Sequence, residues 1–210
     1  MVSTFITGGL TGLILGDSAL DINVHDTMFV VAHFHLVMGI SALFGMFAGV
    51  YHWFPKMFGK MMNKHMGYLH FWLTAISAYG VFFPMHFLGL AGLPRRYYEN
   101  TAFPIFDDLL HINKVITVFA LIGGAAQLIF LANFFISIKR GQKASQNPWK
   151  GNTLEWTTPV EHIHGNWPGE IPEVHRWAYD YSKTDENGDL WEGKDFTPQI
   201  VPIRSGEEEF

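Results

Sequence analysis

Long runs without a charged side chain fill the first two thirds of the chain, and their lengths predict its elements. Residues 27–55 are 29 consecutive positions with no Asp, Glu, Lys or Arg. As a helix such a run would reach roughly 43 Å, against a bilayer hydrocarbon core of about 30 Å. Residues 65–94 form a second run, bounded by Lys64 and Arg95, and residues 115–138 a third, bounded by Lys114 and by Lys139 with Arg140. The pattern predicts three full transmembrane helices, at about 28–54, 67–91 and 115–138. Residues 1–16 are also uncharged, but 16 positions fall short of the ~20 that a spanning helix needs. We read them as a fourth, truncated helix, and the chain as the downstream part of a larger polytopic protein. The expected fold class is all-α integral membrane: a transmembrane region over 1–140, then an irregular C-terminal extension over 141–210.

The connecting segments predict an orientation. Asp17, Asp21 and Asp26 follow the first segment, whereas Lys56, Lys60 and Lys64 follow the second, and Lys139, Arg140, Lys143 and Lys150 follow the last. Lys and Arg concentrate in cytoplasmic loops. The lysine loop and the extension are therefore expected in the cytoplasm, and the aspartate loop and residues 92–113 on the opposite side. Arg95 and Arg96 break this pattern, which asks for an acidic partner. Tyr51, Trp53, Phe54, Tyr97 and Tyr98 stand at the expected interfaces, where amphipathic rings settle. Gly8, Gly12 and Gly16, and Gly45 with Gly49, recur at helical spacing and are read as packing faces without chemistry.

Composition narrows the chemistry. The chain is 49% hydrophobic and 16% charged, below the quarter or so charged in an average soluble domain. Residues 1–140 hold 14 of the 33 Asp, Glu, Lys and Arg residues and the last 70 positions hold 19, so the apolar character belongs to the first part alone. With no cysteine, disulfides, thiolate zinc sites and iron–sulfur clusters are excluded, and eleven histidines and the carboxylates remain as strong metal ligands. A net charge of -5 without a basic cluster excludes nucleic acid as a partner.

Two histidines stand inside the least polar run, in Val30-Val31-Ala32-His33-Phe34-His35. Ionisable groups at membrane depth are costly and by default mark function. On an α-helix, residues i and i+2 point about 200° apart, so one ion cannot take both. Each can face a separate planar cofactor instead, and neutral imidazole is the usual axial ligand of heme iron. Two hemes astride one helix is the reading we favour; a proton path lined by His33, His35 and His86 fits the same residues. His33 is expected about 9 Å below the outer surface, on the side of Arg95 and Arg96. Arg binds carboxylates in charge-assisted, often bidentate pairs, so outward heme propionates would account for the misplaced arginines. His25 and Asp26 are adjacent nitrogen and oxygen ligands compatible with Mg or Mn held partly by water and other chains; a solvated His-Asp turn is the plainer reading. His52, His70 and His86, taken singly, fit helix-to-helix hydrogen bonding equally well. Five of the seven tryptophans lie in the extension, read as wrapping on a larger body. His162 and His164 are read there as a docking surface, and residues 185–189 lack the ligand spacing of a calcium loop.

These residues carry a family resemblance. The string His25-Asp26-Thr27-Met28-Phe29-Val30-Val31-Ala32-His33-Phe34-His35, followed by Trp53-Phe54-Pro55, Phe83-Pro84-Met85-His86-Phe87-Leu88-Gly89-Leu90 and Gly92-Leu93-Pro94-Arg95-Arg96-Tyr97, closely resembles the C-terminal third of subunit I of cytochrome c oxidase, a heme-copper oxygen reductase built on a twelve-helix bundle. The resemblance covers about residues 5–156. It implies that His33 is the axial ligand of the high-spin heme A (a3 type) and His35 an axial ligand of the low-spin heme A. It further implies that Arg95 and Arg96 bind heme propionates and that His25 and Asp26 contribute to the Mg or Mn site. The implied reaction is oxidation of cytochrome c, reduction of O2 to water and proton pumping. The implied partners are the remainder of subunit I, a copper-bearing subunit II, cytochrome c and the lipid of a bacterial inner membrane. The copper ligands and proton channels of the family belong to helices outside this chain. Met28 stands where many relatives have Tyr. Asp26 favours the cytochrome c branch over quinol oxidases, and the context of Pro94-Arg95-Arg96 favours it over nitric oxide reductases.

Overall fold

The computed structural model describes residues 1–99, 103–158, 167, 169–178, 199, 200 and 202. Among these residues six α-helices run in order: α1 Val2–Gly16, α2 Ser18–Val24, α3 Met28–Phe34, α4 Ser41–Phe58, α5 Lys64–Leu90 and α6 Leu110–Arg140. A π-helical stretch, His35–Ile40, joins α3 to α4, and 3-10 turns lie at Pro104–Leu109 and Leu154–Trp156. Among the described residues three continuous stretches are long and apolar enough to cross a bilayer: Met28–Phe58, Lys64–Leu90 and Pro104–Arg140. A fourth is added if α1 and α2, bent by 105°, count as one broken span. The all-helical membrane architecture expected from the charge-free runs is what the fold shows.

Side chains at the helix starts explain the boundaries. The Asp17 carboxylate accepts from the Ala19 amide at 2.9 Å, Thr27 Oγ1 from the Phe29 amide at 3.2 Å, and Asn63 Oδ1 from the Met66 amide at 3.0 Å. Each satisfies a donor that the first turn leaves without a partner. The aspartate loop thus contains a helix, α2, where the sequence reading expected none. The apolar run that begins near Thr27 is not uniformly α-helical either. Its π turn starts at the second histidine of the pair, and the Ser41 hydroxyl donates to the Leu36 carbonyl five residues back, at 3.0 Å.

The chain divides into two compact units. The first comprises Met1–His52 and Met62–Arg140. In it α5 packs along α6, α3 against α5, and α1 against the π turn. Leu88, Leu93 and Ile116 form a buried cluster joined by Met28, Val81 and Met85. Only 11% of the most apolar window of Pro104–Arg140 is buried, so most of that surface is suited to lipid or to further protein. The second unit is Trp53–Met61 with Gly141–Phe210. There the Met61 amide donates to the Gln142 carbonyl at 2.8 Å and the Ala144 amide to the Gly59 carbonyl at 2.9 Å. Trp53 Nε1 donates to Glu155 at 3.1 Å, and Lys56 Nζ donates to the Thr158 carbonyl at 3.1 Å while lying 5.9 Å from the centre of the Trp156 ring. His162, His164 and residues 185–189 lie outside the described residues.

Candidate functional site

The partly buried His33 is oriented by α1. Its Nδ1 lies 2.7 Å from the Gly8 carbonyl oxygen and 3.0 Å from Thr11 Oγ1. A carbonyl oxygen only accepts, so Nδ1 carries a proton, and in the neutral ring this leaves the lone pair on Nε2. Gly12 makes room for the ring: a Cβ there would sit 2.9 Å from His33 Cε1. Gly8 lets α1 reach the π turn, since its Cβ would lie 2.7 Å from Val37 Cγ2. The glycine stripe thus does more than pack helices, as two of its members seat an imidazole.

His35 is held by other neighbours. Its Nδ1 lies 2.8 Å from the Val31 carbonyl one turn back, which again assigns the proton to Nδ1. The ring stacks on Phe82 of α5, with centroids 4.7 Å apart and planes 11° apart, and lies 4.3 Å from the Phe34 ring. Among the described residues neither Nε2 of the pair has a hydrogen-bond partner. Two imidazoles, each with Nδ1 tied to a carbonyl and Nε2 open, form in their neutral state a donor set suited to axial ligation of a metal.

At the start of α3 a second constellation forms. The Met28 amide donates to the Leu93 carbonyl and the Arg95 amide to the Asp26 carbonyl, both at 2.9 Å, around an antiparallel bridge between Thr27 and Pro94. Gly92 takes a φ of 88°, and Asp26 and Arg96 adopt left-handed φ values of 57° and 69°. Such angles are uncommon outside glycine and here turn the chain tightly on both sides of the bridge. The backbone pairing sets Asp26 and Arg95 side by side. Arg95 Nη2 and Nε reach Asp26 Oδ1 at 2.5 and 2.9 Å. The hydrogen bond from Arg95, then its charge, holds the Asp26 carboxyl below its ordinary value. His25 Nδ1 lies 3.6 Å from Asp26 Oδ2. The structure therefore joins two residues that the sequence reading gave to different groups, Asp26 to a divalent cation and Arg95 to a propionate. Arg96 is exposed beside them. Among the described residues no three His, Cys, Asp or Glu side chains cluster as a metal site; His25 and Asp26 supply two ligands at most.

Two other histidines, His70 and His86, pack between helices, and the buried His86 Nε2 has no hydrogen-bond partner among the described residues. His70 is buried, its Nε2 3.2 Å from Gln127 Oε1 of α6, and Gln127 Nε2 donates to Thr74 at 3.1 Å. This network borders a largely apolar cavity of about 500 Å3 between α4, α5 and α6. The His86 ring meets Phe29 edge to face at 5.0 Å, with Nδ1 3.3 Å from the Phe83 carbonyl. The sequence reading missed Thr11, whose hydroxyl meets the His33 ring across 22 positions of sequence.

Comparison with known proteins identifies the family of this helical membrane bundle. Residues 1–126 match the family described as cytochrome c and quinol oxidase polypeptide I. The chain belongs to this family, subunit I of the heme-copper oxidases, as a multi-pass membrane protein for which the family implies heme and copper. It is 46% identical over 207 residues to the alternative cytochrome c oxidase subunit 1 of Bradyrhizobium diazoefficiens, covering 98% of this chain and 34% of that protein. It is 43% identical over 195 residues to the cytochrome c oxidase subunit 1 of Thermostichus vulcanus, covering 90% and 34%. The chain spans about a third of the length of these curated relatives. Its fold is similar to that of a heme-copper terminal oxidase dimer solved by cryo-electron microscopy, with a TM-score of 0.59 at 20% identity over 67% of this chain and 26% of that one.

Proposed function

We propose that this chain supplies axial histidines to two hemes in the catalytic subunit of a terminal respiratory oxidase that oxidises cytochrome c, reduces O2 to water and pumps protons. The observation that carries the reading is the matched state of His33 and His35: Nδ1 committed to a carbonyl, Nε2 open, each ring held by a different helix. His33 would hold the high-spin heme A and His35 the low-spin heme A. When bound, the hemes supply electron transfer and, with a copper whose ligands lie outside this chain, the site of O2 reduction. The residues of this chain orient and tune those groups. The Gly8 and Val31 carbonyls fix the Nδ1–H tautomer and raise the basicity of Nε2, as second-shell acceptors do for metal-bound histidine. Arg95 and Arg96 would bind the propionates, with the Asp26 carboxylate holding Arg95 in place through Nε and Nη2. His25 and Asp26 would contribute to a Mg or Mn site completed from other chains. The same reading puts the chain in a bacterial inner membrane, beside the remainder of subunit I and a copper-bearing subunit II, with its extension cytoplasmic.

The test is spectroscopic. In the assembled oxidase, His33→Ala should abolish the high-spin heme spectrum and O2 reduction, and His35→Ala should remove the low-spin band. Retention of both spectra in the double variant overturns the reading. A histidine-lined proton transporter would be colourless when purified.

A further inference from the structure

We propose that Thr11 is a positioning residue for His33, its hydroxyl setting how strongly the imidazole pushes electron density onto a bound iron; this rests on the reading of His33 as a heme ligand. The proton bookkeeping at this point admits one solution. Thr11 Oγ1 lies 2.6 Å from the Gly8 carbonyl oxygen, which can only accept, so the single hydroxyl proton points there. The contact of 3.0 Å between Thr11 Oγ1 and His33 Nδ1 must then be filled by the imidazole proton. That same proton faces the Gly8 oxygen at 2.7 Å. Nδ1–H is thus shared between two oxygens, and the Gly8 carbonyl accepts from two donors. Gly8, Thr11 and Gly12 lie three and four residues apart on one face of α1, the face on which Gly12 admits the ring.

The shorter contact governs the outcome. A carbonyl that already accepts from a hydroxyl is a weaker acceptor for a second donor, so Thr11 restrains the bond between Gly8 and His33. Without the hydroxyl, Gly8 takes the imidazole proton more fully and His33 gains imidazolate character. A more electron-rich axial ligand binds iron more tightly and favours its oxidised state.

The experiment compares Thr11→Val, which keeps shape and removes the hydroxyl, with Thr11→Ser, which keeps the hydroxyl, both in the assembled oxidase. Resonance Raman spectra of the reduced enzyme read the iron–histidine stretch, and potentiometry reads the high-spin heme. Thr11→Val is expected to raise the stretching frequency and lower the potential with both hemes retained, and Thr11→Ser to restore the unmodified values. An unchanged or lowered frequency in Thr11→Val, with both hemes present, overturns the inference and leaves His33 as a ligand. Loss of the heme assignment itself shows separately, as a high-spin spectrum that survives His33→Ala.

Discussion

At Gly12 a single methyl group decides whether His33 can keep its place. The would-be Cβ lies 2.9 Å from the ring, closer than side-chain carbons approach one another, and the imidazole is tied at Nδ1 and cannot simply swing away. Gly12→Ala should therefore displace the ring or the helix, at about 1–3 kcal/mol for overpacking. The checks are the thermal midpoint of the assembled oxidase and the intensity of its high-spin heme spectrum, both expected to fall. Arg95 poses a different question of geometry, because it holds one carboxylate oxygen with two nitrogens. Arg95→Lys keeps the charge and loses the fork. Lys at either Arg95 or Arg96 should shift heme potentials in a redox titration without emptying the sites, and unchanged potentials in both variants would remove the propionate role. The pairing also fixes a direction in pH. A carboxyl held below its ordinary value in the folded state contributes stability above that value and loses it as the pH falls through the lowered one. For Asp26 that loss falls below the ordinary carboxylate range, so the carboxylate is charged throughout the neutral range.

At the scale of elements, the charge-free runs measured how much chain can lie in lipid, which is not the same as where helices end. Helix α6 starts at Leu110 and reaches Arg140, beyond the run at both ends, because Lys114 and Lys139 interrupt the apolar pattern without interrupting the hydrogen bonds of a helix. The caps at Asp17, Thr27 and Asn63 were legible as residue types, yet none was read as a cap, and α2 was hidden among acidic residues that were read for orientation. The π turn left no sequence signal, since one extra residue per turn barely alters an apolar run. It matters all the same, as it begins at His35 and is tied down from α1. Ser41 Oγ, which donates to Leu36, also lies 2.8 Å from Thr4 Oγ1. The imidazole pair itself stood out in the sequence because two polar groups in an apolar stretch need a reason. Its tautomers did not, because the oxygens that set them, on Gly8 and Val31, are backbone carbonyls that only the fold brings to the rings.

For the whole molecule the testable expectation is which segments share a side of the membrane, and a backbone bridge within each unit bears on it. The bridge between Thr27 and Pro94 in the first unit requires the segment before Met28–Phe58 and the segment after Lys64–Leu90 to lie on one side. The bridge between Lys60 and Lys143 in the second unit requires the same of the segment after Met28–Phe58 and the segment after α6. With the cytoplasmic orientation proposed for the extension, the positive-inside rule predicts that Lys56, Lys60 and Lys64 share its side. The absence of cysteine makes the arrangement testable without background labelling from this chain. Single replacements at exposed positions, Asn23→Cys and Asp108→Cys for one side and Lys64→Cys and Lys143→Cys for the other, can be probed in intact cells with a maleimide that does not cross membranes. The first two are expected to react in intact cells and the second two only after the membrane is opened. Labelling of Lys64→Cys in intact cells would remove a crossing, and with it the membrane depth that makes His33 and His35 ligands.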